Sequence, residues 1–164
     1  MALNVSGISK IERIEDEGMF YLETPSENTK YNLKHDYEEG WYDKTYESKD
    51  HVFLAGTYGT YSQFRNILSL SALGCSAEDV WDNEDKFKGA PFIELINFTD
   101  CEGFLGAKIA NKLYEDFKKH SFSFGRYVWK NVDDVMMRET LVIKYDNWIK
   151  ALRVAKDDGI IMFN

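Results

Sequence analysis

The sequence predicts an α+β fold in a single domain, with a small, mainly antiparallel sheet packed against three or more helices. Three observations carry this expectation. Short extended segments crowd the first 55 residues, and a four-residue apolar run recurs at Ile160–Phe163, so strands from both ends of the chain can pair. Between them lie stretches with helical apolar spacing, each with its own start or stop signal. With 164 residues the chain can bury on the order of 70% of its unfolded surface around one core and is too short for two ordinary ones.

The strand candidates come first, at Leu3–Ile8, Met19–Glu23, Tyr31–Leu33 and His51–Ala55. Polar, turn-rich stretches such as Pro25–Asn28 separate them. From His35 to Asp50 four aromatic residues stand among acids around Glu38-Glu39-Gly40, and this segment reads as a long surface excursion. Residues 1–50 are therefore expected to be a loop-rich N-terminal part attached to a core over 52–164.

The first helix is expected from Thr60 to about Leu73. Thr60 with Gln63 fits a capping box, Tyr61, Phe64, Leu68 and Ala72 share a face, and Gly74 supplies the stop. Ser76 with Asp79 caps a short helix reaching Trp81, and the acidic run Asp82–Asp85 then reads as loop. Pro91 suits the first position of another short helix, on which Phe92, Leu95 and Ile96 would share a face, although the same apolar run also suits a buried strand. Thr99 with Glu102 is a third capping pattern, which places a helix from about Asp100 to Lys119, with Ile109, Leu113 and Phe117 inward and His120 at its cationic end. The last helix starts between Asp133 and Glu139, buries Leu141, Tyr145, Trp148, Leu152 and Ala155, and ends at Asp158-Gly159. Phe64, Leu68, Ile109, Leu113, Phe117, Trp148 and Leu152 are the expected core.

Composition bounds the function. Hydrophobic residues make up 44% of the chain and prolines number two, so it is a packed protein and not a disordered one. The net charge of −8 argues against nucleic acid, because phosphate neutralisation needs clustered Lys and Arg. Two separated cysteines, Cys75 and Cys101, imply a reducing compartment, and no apolar run approaches the ~20 residues of a membrane span, so a cytoplasmic protein away from membranes is expected. The charge is unevenly spread. Residues 1–50 hold 12 acidic and 6 basic side chains, residues 76–102 hold 8 and 2, and residues 103–164 hold 8 and 11. An acidic front half and a basic back half predict internal charge pairing, or else an acidic surface fitted to a basic protein partner.

The densest cluster of reactive residues is Asp100-Cys101-Glu102. Two carboxylates at a helix start could supply a base or hold a cation, and a thiol there could become nucleophilic, but capping and dipole complementarity account for the same residues. Arg65 is the only basic side chain between His51 and Lys86, which calls for an anionic partner, either Asp100 or Glu102 in an internal bridge or a ligand's carboxylate or phosphate. The glycine-rich run Gly56–Tyr61 precedes a helix but lacks the signature of a phosphate loop or dinucleotide turn. Three scattered His and two separated Cys match no zinc spacing, and Asp82, Glu84 and Asp85 lack the calcium-loop pattern, so no metal, cofactor or catalytic residue is predicted.

The runs G-T-Y-G-T-Y-S-Q-F-R at 56–65 and P-F-I-E-L-I-N-F-T-D-C-E-G-F-L-G at 91–106, the segment K-L-Y-E-D-F at 112–117, and the ending from Trp148 to Phe163 with Asp157-Asp158-Gly159 resemble a family of small, uncharacterised bacterial and phage proteins. The resemblance covers residues 52–164. Thr99 stands where that family usually has Ser, and Leu105 where it has Ile. It implies no activity; it points to Arg65, Asp100, Cys101 and Glu102 as the group to watch. The expectation is a non-enzymatic acidic binding protein of inhibitor or immunity type; the alternative is a ligand pocket or enzyme built from Arg65 and the Asp100–Glu102 loop. Oligomeric state is left open.

Overall fold

The computed structural model describes residues 2–23, 37–98 and 103–164. Its centre is an antiparallel sheet of four strands, β1 (Ala2–Ile8), β5 (Asp50–Thr57), β6 (Gly103–Gly106) and β7 (Ile160–Phe163), in the order β5-β1-β7-β6. The two ends of the chain pair as expected, with Val5 opposite Phe163 and Ile8 opposite Ile160. A second antiparallel sheet has the order β2-β4-β3, from β2 (Ile11–Ile14), β3 (Phe20–Leu22) and β4 (Gly40–Lys44).

Alternation along the strands sets the layers. Leu3 and Val5 of β1, Phe53 and Ala55 of β5, Leu105 of β6 and Ile161 and Phe163 of β7 enter the main core with the helices. Ile8, Phe104 and Ile160 belong instead to a second cluster with Ile11, Phe20, Leu22 and Tyr42 of the small sheet. Helices therefore cover one face of the four-stranded sheet and the small sheet covers part of the other. The α+β architecture with antiparallel pairing is as the sequence predicts.

Among the described residues five α-helices follow: α1 (Tyr58–Leu73), α2 (Ala77–Asp82), α3 (Ile93–Asn97), α4 (Ala107–Asn131) and α5 (Val135–Ala155). α1 stops at Gly74, whose φ of 73° is the left-handed value that glycine adopts without penalty. The Ser76–Asp79 capping box is present at α2. α5 starts after Asp134, whose carboxylate accepts from the Met137 N–H at 2.9 Å, and buries the expected stripe. It lies close on β1 because Gly7 has no side chain to hold it off.

Four local expectations are corrected. α1 is capped by Thr57 with Thr60, not by Thr60 with Gln63, so the helix begins within the glycine-rich run. The segment read as a surface excursion contains β4, and Ile11–Ile14 is a strand the sequence reading missed. α3 begins at Ile93, two residues after Pro91, behind a buried Phe92 with φ 61°.

The largest correction concerns the middle helix. Gly103–Gly106 is a strand, and the helix starts only at Ala107. Both faces of this strand are buried, with Leu105 in the main core and Phe104 in the second cluster, and pairing with β7 outweighs extension of the helix. The far end is also displaced. Phe124 and Val128 continue the stripe of Leu113 and Phe117, so α4 runs on to Asn131 and His120 lies inside it instead of at its end. Its buried face is centred on Ala110, which leaves Ile109 half-buried at the flank.

Candidate functional site

Arg65 sits on the buried face of α1 between Tyr61 and Leu68 and is only 5% exposed. Its Nη1 donates to the carbonyls of Ile96 and Phe98, both at 3.0 Å. Trp81 Nε1 donates to the same Ile96 carbonyl at 3.1 Å, and the Tyr61 hydroxyl to the Phe98 carbonyl at 3.3 Å. The guanidinium carbon lies 4.8 Å from the Tyr61 ring centroid and 5.6 Å from that of Trp81, so the cation is held between two aromatic rings. A cation at the end of α3 satisfies carbonyls that the short helix leaves without an internal partner.

Asp100, Cys101 and Glu102, together with Thr99, lie outside the described residues. What is described is the chain on either side: Phe98, fixed by Arg65 and Tyr61, and Gly103, opposite Phe163 in the sheet. The Phe98 ring stacks on Phe163 at a centroid distance of 4.3 Å, and a Cβ on Gly103 would press against it. Arg65 thus anchors one end of the segment that carries the three acidic and thiol residues. Beside it, Asn97 is 8% exposed and its Oδ1 has no hydrogen-bond partner among the described residues. Tyr61, Trp81 and Asn97 are members of this site that sequence spacing alone did not connect to Arg65.

The glycine-rich run forms the end of β5 and the cap of α1. Thr57 N–H donates to Thr60 Oγ1 at 2.8 Å and Thr60 N–H to Thr57 Oγ1 at 3.3 Å, so these two donors are satisfied within the turn. Cys75 is a half-buried free thiol whose carbonyl accepts from Ser69. Among the described residues no three His, Cys, Asp or Glu converge as metal ligands would, and no helix is long and apolar enough to cross a membrane.

A second surface lies on the small sheet. Tyr21 of β3 pairs with Trp41 of β4, which pairs with Ile14 of β2, so the three share the face turned away from the second core cluster. The Tyr21 and Trp41 rings meet edge to face at 5.1 Å. One step along, Glu12 of β2 stands opposite Asp43 of β4. Like charges directly opposite in an antiparallel ladder destabilise it. Tyr21 donates its hydroxyl proton to Glu39 Oε1 at 2.9 Å, which raises the Tyr21 pKa and adds a third carboxylate to the rim.

Among the described residues the front segment's acids pair with its own cations, in Lys10–Glu47, Arg13–Glu38 and Lys44–Asp50. The back half contributes Lys112, which bridges Glu94 and Asp116 at 2.7 and 2.8 Å. No family model matches the chain, and no curated protein or solved structure matches it.

Proposed function

We propose that this chain is a non-enzymatic binding protein of inhibitor or immunity type, and that the outer face of its small sheet covers a cationic surface on a protein partner. The observation that carries the reading is the Glu12–Asp43 pairing beside the Tyr21–Trp41 pair. A cross-strand pair of like charges costs stability in the free chain, and a partner's Lys or Arg between the two carboxylates relieves it. Aromatic side chains flanked by charge are the usual energetic anchors of such interfaces. Described residues of the front segment, 2–23 and 37–50, hold 10 acidic and 4 basic side chains, which supplies a field for fast, salt-sensitive association.

The test is affinity capture from cells of the source organism at low and at high salt, with the chain and with a Glu12→Lys/Trp41→Ala variant as baits. The reading expects one basic protein that is retained at low salt, released at high salt and absent from the variant bait. Equal recovery on both baits, or no specific protein at low salt, overturns it.

The alternative is a small-ligand site formed by Arg65 with the Asp100–Glu102 segment. The unpartnered Asn97 Oδ1 favours it, since a buried acceptor left unpaired costs ~1–3 kcal/mol. Against it stands the engagement of Arg65 Nη1 by two backbone carbonyls. A thermal-shift panel of nucleotides, sugar phosphates and divalent metals separates the readings, because a ligand at 100 times its dissociation constant adds about 2.7 kcal/mol.

A further inference from the structure

The hairpin of α4 and α5 exposes more apolar surface than its packing explains. Phe122 is 78% exposed, Trp129 60%, Val135 56%, Met136 78%, Val142 41% and Ile143 60%. They are not scattered: Phe122 and Trp129, Val135 and Val142, and Met136 and Ile143 are each seven residues apart, the spacing that repeats a side chain on one helix face. A cluster of this kind on a surface marks an interaction site.

Its charges are divided between the two helices. From Lys118 to Lys130 the sequence contains Lys118, Lys119, Arg126 and Lys130 and no acid. Between Val135 and Asp146 the exposed charges of α5 are Glu139 and Asp146, and Lys150 and Arg153 are exposed further along. Arg138 is drawn into the seam, with its guanidinium carbon 4.9 Å from the Trp129 ring and its Nε on the Val132 carbonyl. Lys144 is half-buried next to Gly56, and burial lowers its pKa. Among the described residues none of the four cations, and neither of the two acids, belongs to an ion pair. Arg126 and Lys130 are also four apart on one helix, a like-charge spacing that weakens it.

We infer that this face binds a second copy of the chain through a two-fold axis parallel to the helices, with α4 of each protomer lying across α5 of the other. The register follows from the Trp129–Arg138 contact. Those two residues share a level, the helices are antiparallel, and each residue rises about 1.5 Å, so Arg126 lies level with Leu141 and Phe122 with Tyr145. The rotation keeps levels and exchanges helices. It therefore brings Arg126 of one protomer within about 3 Å, along the axis, of the other's Glu139, and Lys119 within about 3 Å of the other's Asp146. Trp129 arrives at Val135 and Met136, and Phe122 at Val142 and Ile143. Basic meets acidic and apolar meets apolar, twice, as a self-complementary interface requires. The result is a four-helix arrangement with the heptad spacing natural to one.

Sedimentation equilibrium on the full chain, with circular dichroism to check folding, tests this. The chain is expected to be dimeric. Lys119→Glu/Arg126→Glu and Glu139→Lys/Asp146→Lys are each expected to weaken association about 100-fold or more by placing like charges together. Mixed in equal amounts, the two variants are expected to form a heterodimer, because every reversed charge then meets its opposite. A monomer at about 1 mM chain overturns the inference, as does a dimer unaffected by either variant, or two monomeric variants that do not combine. Binding of a monomeric chain to phosphatidylserine vesicles through Phe122 and Trp129 would assign the face to an anionic membrane and overturn it too.

Discussion

Arg65 and Phe98 are joined by a 3.0 Å hydrogen bond from the guanidinium to the last described carbonyl before the Asp100–Glu102 segment. This bond ties α1 to the exit of α3, and the same Nη1 also holds Ile96. Arg65→Ala is expected to lower stability in urea titration by about 3 kcal/mol or more, since it removes charged hydrogen bonds and leaves two buried carbonyls short of a donor. Arg65→Lys should recover only part, because an ammonium cannot reproduce the planar stack between Tyr61 and Trp81. A stable Arg65→Ala chain that loses a ligand's thermal shift would instead make Arg65 a ligand clamp.

The closeness of α5 to the sheet depends on Gly7. A Cβ built there overlaps the Ala151 carbonyl oxygen and lies 2.8 Å from the Ala151 Cα. Neither backbone can give way without separating β1 from α5, both of which are core elements. Gly7→Ala is expected to cost about 3 kcal/mol or more, read as a fall in the urea midpoint.

Core truncations distinguish the two phasings of α4. Leu113 and Leu152 are fully buried, so Leu113→Ala and Leu152→Ala should each cost roughly 2–5 kcal/mol. Ile109 is half-buried, and Ile109→Ala should cost distinctly less than Leu113→Ala in the same titration. Equal losses would return the buried face to the one expected from spacing alone.

That contrast shows where the sequence was legible. For α2, α5 and the stripe and stop of α1 local signals sufficed, whereas the start of α1 was expected three residues too late because Thr57 and Thr60 both suit a cap. Phe104-Leu105 failed because two adjacent apolar residues suit a helix flank and a strand buried on both faces equally well. Only the partner strand, Ile160–Phe163, decides between them, and that pairing is made 58 residues away, with Phe104 opposite Met162. β2 and β4 were missed for the same reason: each is four or five residues long and half-exposed, so its pattern is weak until the other is placed beside it. At the site, Arg65 was legible as a lone cation. Its partners were not, because backbone carbonyls leave no trace in residue identity.

His120 makes stability depend on pH. Its Nε2 is buried without a hydrogen-bond partner among the described residues, and its ring meets Phe92 edge to face at 5.6 Å. Burial lowers its pKa; Asp116 opposes this, and Lys119 and Lys112 add to it. The folded chain thus favours the neutral imidazole while the unfolded chain takes up a proton at the ordinary value. Stability contributed in this way is present above that value and is lost as pH falls through the folded pKa. Urea midpoints should therefore decline as pH falls below about 7, and His120→Gln should flatten the decline. An unchanged slope in the variant would assign it to other groups.

Glu12 and Asp43 set stability against binding. Opposed across β2 and β4, their carboxylates repel in the free chain, whereas Glu12→Gln keeps the shape and removes one charge. A gain of roughly 0.2–1 kcal/mol is expected, the range of a single cross-strand pair. The gain should shrink as salt is added, because the pair is solvent-facing and screened. On the proposed interface the same change should weaken capture of the cationic partner, chiefly through slower association at low salt. A stabilised Glu12→Gln chain that captures the partner as well as the parent would mean that the repulsion serves no partner, and would place the binding face elsewhere on the molecule.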